Sequence, residues 1–328
     1  MSSRATGGAL VTILINNYNY GRFLRDAIDS ALNQTYPNTE VIVVDDGSTD
    51  GSREVIASYG DRIVPILKDN GGQASAFNAG FAASHGQWVL LLDSDDLFLS
   101  DKTETILDLA KQSPRAGLIA HNLEYCDACG VPIDFLAPQI RECKLVDDRE
   151  LSLCGRQTAC LPATSGLCFR RGVLREILPM PEEIRMTADN YLKVVATSLT
   201  PALQTPARLA KQRIHGENLY TGAGAKQAGE AGKLLHALVE AQIGFEIRKR
   251  HPHLKRLAWK RYGRILFQLT SAKSEKARAV KAEITSRYSV LDRSPASFFY
   301  VVGAFTKAFV KELLRGRSGL SGAQSGCS

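Results

Sequence analysis

Three carboxylates lie within four positions of one another, at Asp93, Asp95 and Asp96, directly after the apolar run "WVLLL". Like charges repel at this spacing, so their crowding indicates that a cation binds among them. A D-x-D pair suits Mn²⁺ or Mg²⁺, which accept one or two protein carboxylates and fill their other positions with water and phosphate oxygens. The cluster therefore predicts a divalent-cation site that a phosphate-bearing substrate completes. The alternative is that Asp93 or Asp96 caps a helix beginning near Ser100.

The elements that position these carboxylates follow from the hydrophobic pattern of the first hundred residues. Continuous apolar or β-branched runs, typical of strands, alternate with segments of helical period. The strand-like runs are 9–15, 40–44, 62–67 and 88–92, and the helical face after the first run comprises Phe23, Leu24, Ala27, Ile28, Ala31 and Leu32. Strands this apolar are usually buried on both faces, so we predict an α/β fold with a mostly parallel central sheet flanked by helices.

Polar residues follow three of the four predicted strands. They are Asn16, Asn17 and Tyr18 after the first strand, Asp45 and Asp46 after the second, and the three aspartates of "DSDD" after the fourth. In open parallel α/β sheets, ligands bind beyond the carboxyl ends of the strands. We therefore expect these segments, which are far apart in the sequence, to converge on one cleft.

Signatures of several other enzyme classes are absent from the sequence. It has no GxxxxGK[ST] loop, no GxGxxG after the first strand and no GxSxG, which argues against nucleotide hydrolysis, dinucleotide-dependent oxidoreduction and serine-hydrolase chemistry. The one CxxC pair, Cys126 and Cys129, has no second pair to complete a zinc site, so we interpret 127–130 as a hairpin turn. Seven scattered cysteines and the lack of a long apolar segment are typical of a cytoplasmic protein.

Three segments, in this order and spacing, resemble glycosyltransferase family 2: "VTILINNYNYGRFLRDAIDSALNQTYPNTEVIVVDDGSTDGS", "NGGQASAFNAG" and "GQWVLLLDSDD". The resemblance is specific over residues 9–105 and continues more weakly to about residue 220. It implies the GT-A fold, which is Rossmann-like, with its DxD motif. We accordingly predict a catalytic domain over 1–225, with a nucleotide-sugar half (1–115) and an acceptor half (116–225). A basic helical region with a disordered tail would follow over 226–328.

The resemblance also implies which residues hold the nucleotide of a nucleoside diphosphate sugar. Tyr18 and the neighbouring Asn17 would contact the nucleobase. Asp46 of "VVDDGS" would accept a hydrogen bond from the ring nitrogen of the base, and Asp45 would support the ribose side.

Two further segments carry family roles in the donor site. Gly71, Gly72 and Asn78 belong to the segment that would close over the nucleotide. In "DSDD", the resemblance implies that Asp93 reaches the ribose and that Asp95 binds the Mn²⁺ or Mg²⁺ ion.

For catalysis, family members of this kind carry a later acidic pair ahead of a helix, and here Ala188 replaces the first acid. The resemblance therefore implies that Asp189 alone is the base that takes the acceptor's proton, a role that contributes roughly 10²- to 10⁴-fold in rate. An aspartate at this position is otherwise a common helix N-cap. "RIHGENLY" resembles the family's late Arg-x-His-x-x-Asn element, which implies that His215 contacts the metal or the diphosphate. The alternative is a structural histidine.

Positive charge is concentrated late in the chain, since residues 246–317 hold 18 Lys or Arg against 5 Asp or Glu. Within this region, "SFFYVVGAFTKAFVKELLRGR" is typical of an amphipathic helix, which lies on an anionic membrane surface or packs against protein. Arg170 and Arg171 are candidate contacts for an anionic acceptor such as a lipid diphosphate. The protein as a whole is predicted to be cytoplasmic. If the basic helix binds a membrane surface, the protein would associate peripherally with the inner membrane face. Because the basic residues lack interleaved aromatics, we predict no nucleic-acid partner.

The resulting functional prediction is a metal-dependent, inverting glycosyltransferase. It would move a sugar from a nucleoside diphosphate donor, with UDP favoured, to a saccharide or lipid-linked acceptor in cell-surface polysaccharide or glycolipid synthesis. One alternative is a sugar-phosphate nucleotidyltransferase, which calls for a glycine-rich loop with a basic residue where "NNYNYGRF" stands. The other is a non-catalytic protein that binds a nucleotide sugar or a membrane.

Overall fold

The computed structural model describes residues 8–216, 218, 229–270 and 274–291, with side chains described for all of these except 229–233, 270 and 289–291. The described residues form two compact units. The first unit comprises the described residues within Met1–Glu150 and Gln157–Gly224. The second comprises Leu151–Arg156 and the described residues from Ala225 onward.

A single sheet runs through the first unit. Its strands are β1 (Val11–Asn17), β2 (Thr39–Asp46), β3 (Val64–Lys68), β4 (Trp88–Asp93), β5 (Leu97–Phe98), β6 (Leu118–Cys126), β7 (Lys144–Val146), β8 (Leu167–Arg170) and β9 (Ala202–Arg213). Their order is β3-β2-β1-β4-β8-β6-β9-β5, and β7 also pairs with β9. The strands β1 to β4 are parallel as predicted, whereas β8 is antiparallel to β4, so the sheet as a whole is mixed.

The register of β1 brings the predicted polar segments together. Asn17 at the end of β1 lies opposite Asp45 of β2, and Asn16 lies opposite Asp93 of β4. Because these strands are parallel, the polar residues that end them share one edge of the sheet. The expected convergence is therefore confirmed.

Helices cover the sheet as the hydrophobic pattern predicts. Those that begin before residue 200 are α1 (Gly21–Leu32), α2 (Ser52–Ala57), α3 (Gln73–Ala83), α4 (Lys102–Gln112), α5 (Arg149–Leu153), α6 (Arg171–Ile177) and α7 (Ala188–Leu199). The predicted face of α1 is buried at Phe23, Leu24, Ala27, Ile28 and Ala31. This face packs in one core cluster with β1, β2 and β4. The helical period of the sequence therefore gives the correct inward face.

The turn predicted at 127–130 is also confirmed. The amide of Gly130 donates to the carbonyl of Asp127 at 3.0 Å, and the amide of Asp127 donates to the carbonyl of Val131 at 2.9 Å. The chain then returns beside β6 only through a single bridge between Cys126 and Pro132.

The second unit is helical, as predicted for the C-terminal region. It contains α8 (Gly229–Arg250), α9 (Lys255–Thr270) and α10 (Glu275–Leu291). Aromatic rings hold these helices together: Tyr262 stacks on Tyr288 with centroids 4.2 Å apart, and Trp259 meets Tyr288 edge-on at 5.4 Å. Among the described helices, none is long and apolar enough to cross a bilayer. The amphipathic helix and the disordered tail predicted after residue 292 lie outside the described residues.

The layered core predicts different effects for two leucine substitutions. Leu90 is fully buried in β4, whereas Leu67 on the edge strand β3 is 51% exposed. We expect Leu90→Ala to lower the free energy of unfolding by about 2–5 kcal/mol, because it leaves a cavity between sheet and helices. Leu67→Ala should change it by about 0.5 kcal/mol or less. Urea denaturation of both variants measures this difference, and equal losses would contradict the burial described here.

Candidate active site

The turn after β4 is held in place by its last carboxylate. Asp96 is 1% exposed, and its two oxygens accept from Ser165 Oγ at 2.6 Å and from the backbone amide of Arg213 at 3.0 Å. Asp96 therefore joins the turn to the segment before β8 and to the end of β9. The alternative that it caps a helix is wrong, because α4 begins at Lys102 and has no side-chain cap.

The two predicted metal residues, Asp95 and His215, lie side by side. Oδ2 of Asp95 is 3.1 Å from Nε2 of His215 and 3.2 Å from Nδ2 of Asn218. The imidazole is packed against the ring of Phe23, with centroids 4.9 Å apart, and its side chain is 2% exposed. Burial and stacking therefore orient the histidine toward the aspartate.

Asp93 and Asp189 complete the acidic corner. Burial, followed by the charges of Asp95 and Asp189, raises the pKa of Asp93 to about 8, against the opposing effects of a hydrogen bond from Thr164 and the charge of Lys193. Three carboxylates from two distant segments therefore influence one another directly. Their mutual repulsion is the electrostatic condition that a bound cation relieves.

Asp189 lies in the first turn of α7 and does not cap it. The N-cap residue is Thr187, which makes no side-chain capping bond. The carboxylate of Asp189 is instead 2.6 Å from Nζ of Lys193, one helical turn further on. The N-cap alternative for Asp189 is therefore wrong.

The donor atoms at this corner fit a divalent cation that substrate oxygens help to coordinate. A carboxylate from Asp95 and an imidazole from His215 are ligands that Mn²⁺ accepts. The described residues contain no group of three or more His, Cys, Asp or Glu side chains that could hold a metal by themselves. Asp95 and His215 alone would leave most positions on the ion to water and substrate oxygens, which is the usual mode for Mg²⁺ at phosphate-bearing substrates.

At the second strand end, Asp45 organises the loops around it. Its carboxylate is fully buried, and it accepts from Asn17 Nδ2 at 2.9 Å, from the Ser48 amide at 3.1 Å and from Arg53 Nε at 3.0 Å. Asn17 is thus brought against Asp45, its partner in the register of β1 and β2. Tyr18 follows directly and is 47% exposed, which leaves its ring accessible at the same edge of the sheet.

The neighbouring carboxylate, Asp46, binds the glycine segment. It accepts from the amides of Gly71 at 2.9 Å and Gly72 at 2.7 Å, and from Lys68 Nζ at 2.7 Å. Gly72 has a φ of +88°, and a Cβ there would come within 2.7 Å of the Arg185 backbone. Only glycine fits at this position. The structure therefore brings Asp46, Gly71 and Gly72 together.

Asn78 bonds to the chain near Met180. Its side-chain amide exchanges two hydrogen bonds with the backbone of Met180, at 2.9 and 2.8 Å. On the same helix, Gln73 Oε1 accepts from the amide of Ala188 at 2.8 Å. The helix that begins beside the glycine segment therefore supports the chain leading into α7.

An unpaired amide lies at the centre of this edge. Asn16 is 9% exposed, and neither polar atom of its side chain has a hydrogen-bond partner among the described residues. It stands between Val44 of β2 and Asp93 of β4. Buried polar groups are almost always hydrogen-bonded. A polar ligand at this edge would give the Asn16 amide its missing hydrogen bonds.

Sequence reasoning missed the residues that hold the carboxylates in place. They are Arg53, Lys68, Ser165, Lys193 and Asn218, each bonded to one of the aspartates described above. The four-residue helical spacing gives a signal for Lys193, and Asn218 stands inside "RIHGENLY". No pattern in the sequence links Ser165 to Asp96, 69 positions away.

The expectation that Arg170 and Arg171 line the acceptor side is wrong. Arg170 pairs in register with Trp88 at the beginning of β4, and Asp93 stands at the other end of that strand. Its guanidinium donates to the Ala116 carbonyl and lies over the Trp88 ring at 4.9 Å. Both arginines therefore belong to the edge of the sheet away from the acidic corner.

Comparison with known sequences identifies relatives of this chain. Residues 12–133 match the family described as "Glycosyl transferase family 2". An uncharacterized glycosyltransferase from Nostoc sp. is 37% identical over 229 residues, which cover 68% of this chain and 70% of that protein. A second uncharacterized glycosyltransferase, from Rickettsia typhi, is 38% identical over 140 residues, and 44% of its length is matched.

Solved structures share the fold. S. aureus TarS 1–349 in complex with UDP has a TM-score of 0.55 and 14% identity, covering 93% of this chain and 91% of that one. The same protein in complex with UDP-GlcNAc gives 0.52 and 15%, with 90% and 79% covered. The predicted GT-A fold is therefore confirmed. The sequence relatives decide against the nucleotidyltransferase and non-catalytic alternatives. The chain is a glycosyltransferase and belongs to glycosyltransferase family 2.

Proposed function

We propose that this enzyme transfers a sugar from a nucleoside diphosphate donor to an acceptor hydroxyl, with inversion of the anomeric centre and with Mn²⁺ or Mg²⁺. The observation that carries the proposal is the acidic corner itself. Burial, followed by the charges of Asp95 and Asp189, raises the pKa of Asp93 to about 8, and His215 contacts Asp95. A cation and a diphosphate are the partners that such a corner suits.

In the proposed reaction, Asp189 takes the proton of the acceptor hydroxyl. The acceptor oxygen forms a bond to the anomeric carbon while the bond from that carbon to the diphosphate oxygen breaks, and the nucleoside diphosphate leaves with the electron pair. Because the attack comes from the side opposite the leaving group, the configuration inverts and no covalent enzyme intermediate forms. Taking the proton during attack makes the hydroxyl a competent nucleophile.

Asp95 and His215 would hold the cation together with donor oxygens. The bound ion would offset the negative charge that develops on the leaving diphosphate. The polypeptide supplies the remainder of the arrangement, since Asp96 anchors the turn through Ser165 and Arg213.

The nucleoside end of the donor would lie along the ends of β1 and β2. Tyr18 offers an exposed ring for stacking on the base, and Asn17 stands beside it, bonded to Asp45. Asp46 with Gly71 and Gly72 would close the other side of the nucleotide. Asn78 would hold α3, the helix after these glycines, against Met180. The TarS complexes with UDP and UDP-GlcNAc are a reason to test UDP sugars first.

The acceptor would be a saccharide or a lipid-linked saccharide, in synthesis of cell-surface polysaccharide or glycolipid. The division into a catalytic domain over 1–225 and a basic region over 226–328 would then separate chemistry from attachment. A cytoplasmic enzyme held at the inner membrane face by its basic C-terminal residues would meet such an acceptor at the lipid surface.

Donor and metal binding are tested together by thermal shift. UDP-glucose, UDP-galactose, UDP-N-acetylglucosamine and GDP-mannose are each added with MnCl₂ or with EDTA. We expect one donor to raise the Tm only with metal, since a ligand bound to the folded state stabilises it. Asp95→Ala should abolish this shift, whereas Asp189→Ala should keep it and lose about 10²- to 10⁴-fold in turnover. Failure of every donor to bind, or full turnover by Asp189→Ala, would overturn the proposal.

The raised pKa of Asp93 links stability to pH. The folded chain retains this proton up to about pH 8, whereas a free aspartate carboxyl has a pKa of 3.8. The stabilisation that comes from this proton is complete below pH 3.8 and is lost as the pH rises to about 8. In EDTA, we expect the wild type to lose about 1–3 kcal/mol more unfolding free energy than Asp93→Asn between about pH 6 and pH 9. Urea titrations measure this, and parallel pH profiles would contradict it.

Membrane attachment is tested by sedimentation with liposomes. The full chain should pellet with vesicles that contain phosphatidylglycerol and stay in the supernatant with phosphatidylcholine alone, because basic segments bind anionic surfaces. A chain lacking residues 295–328 should lose most of this binding. If the truncated chain pellets to the same extent, those residues are not the membrane contact.

A further inference from the structure

Lys193 and Asp189 form an enclosed ion pair on α7. Nζ of Lys193 is 2.6 Å from Oδ2 of Asp189, and the two side chains are only 14% and 11% exposed. Helical side chains lean toward the N-terminus of their helix, so a lysine at i+4 reaches back to an aspartate at i. Most i,i+4 pairs lie in solvent and are weak, whereas this one is largely shielded from water.

The lysine also acts on the rest of the acidic corner. Its charge is among those that lower the pKa of Asp93, in opposition to Asp95 and Asp189. Lys193 is therefore a positive charge that the protein itself supplies beside three carboxylates. Nothing in the assigned roles of the corner accounts for a lysine at this position.

The two oxygens of Asp189 differ in their surroundings. Oδ2 accepts from Lys193, and Oδ1 accepts no hydrogen bond from the described residues. The backbone just before the carboxylate is also fixed, because the amide of Ala188 donates to Gln73 Oε1 at 2.8 Å. With its backbone and one oxygen both held, the carboxylate has one remaining oxygen with which to accept a proton.

We propose that Lys193 is a positioning residue for Asp189: its ammonium group holds Oδ2 so that Oδ1 faces the acceptor hydroxyl. The inference rests on the proposed function, in which Asp189 is the base. Lys193 itself touches neither donor nor acceptor. Loss of the ammonium group lets the carboxylate rotate about its side-chain bonds and lowers the fraction of molecules in which Oδ1 is aligned.

The test measures hydrolysis of the donor that gave the largest thermal shift, with water as acceptor, by release of the nucleoside diphosphate. The variants are Lys193→Met, Lys193→Arg, Asp189→Asn and the double variant Asp189→Asn/Lys193→Met. Lys111→Met is the matched control, because Lys111 also pairs with an aspartate on its own helix, Asp108, but lies 77% exposed. Thermal unfolding of each variant reports whether it is folded.

We expect Lys193→Met to lower kcat about 10- to 100-fold with little change in the donor KM, since the loss is of alignment and not of binding. Lys193→Arg should recover most of the activity, because a guanidinium also holds a carboxylate oxygen. In the Asp189→Asn background, Lys193→Met should have no further effect, since residues that act as a unit are not additive. Lys111→Met should behave like the wild type. Lys193→Gln replaces Lys193→Met if the latter unfolds.

Each of the remaining outcomes would contradict the inference, the proposed function or both. A raised donor KM with unchanged kcat would make Lys193 a donor contact and overturn the inference. A further loss in the double variant would show that it acts independently of Asp189, with the same consequence. Full turnover by Asp189→Asn, or no hydrolysis of any donor, would overturn the proposed function and this inference with it. If Asp189→Asn loses turnover while Lys193→Met stays fully active, the inference about Lys193 is wrong and the proposed function stands.

Discussion

Repulsion among carboxylates at the end of β4 is the constraint on which the rest of the site depends. Asp93 and Asp95 stand in one short turn with Asp96, and Asp189 lies on α7. Burial, followed by the charges of Asp95 and Asp189, raises the pKa of Asp93 to about 8. Burying charged groups is costly unless hydrogen bonds satisfy their oxygens, so the bonds that hold this turn are important. Asp96 provides such bonds, because it joins the turn to Ser165, before β8, and to the Arg213 amide at the end of β9.

Hydrogen bonds and ion pairs also hold the carboxylates at the end of β2. Asp45 and Asp46 are adjacent and buried, yet their oxygens are divided among different partners, with Arg53 on one and Lys68 on the other. These aspartates therefore order the loops around them, whereas the acidic corner beyond β4 is where the proposed function places the cation. The fold thus uses carboxylates for two purposes at one edge of the sheet.

Much of the fold could be predicted from the sequence because its signals are local. The period of α1 and the apolar runs of β1 to β4 gave the parallel half of the sheet, and the order of polar residues gave the cleft. The antiparallel half escaped prediction because its pairing depends on contacts between distant segments, such as β4 with β8. Arg170 was misplaced for this reason: its position depends on the strand it pairs with. Ser165 and Lys68 were missed because a side chain that holds a carboxylate carries no motif of its own.

Gly72 ties the glycine segment bonded to Asp46 to the chain that leads into α7. Its backbone lies directly against Arg185, the following residue, Gln73, donates to the Arg185 carbonyl at 2.9 Å, and its side chain accepts from Ala188. The loop that would lie over a nucleotide and the helix start that carries Asp189 are thus parts of one hydrogen-bonded clamp. In the proposed function, a force that a bound nucleotide exerts on that loop would reach the residue before Asp189. Occupancy by the donor would therefore prepare the enzyme for the acceptor.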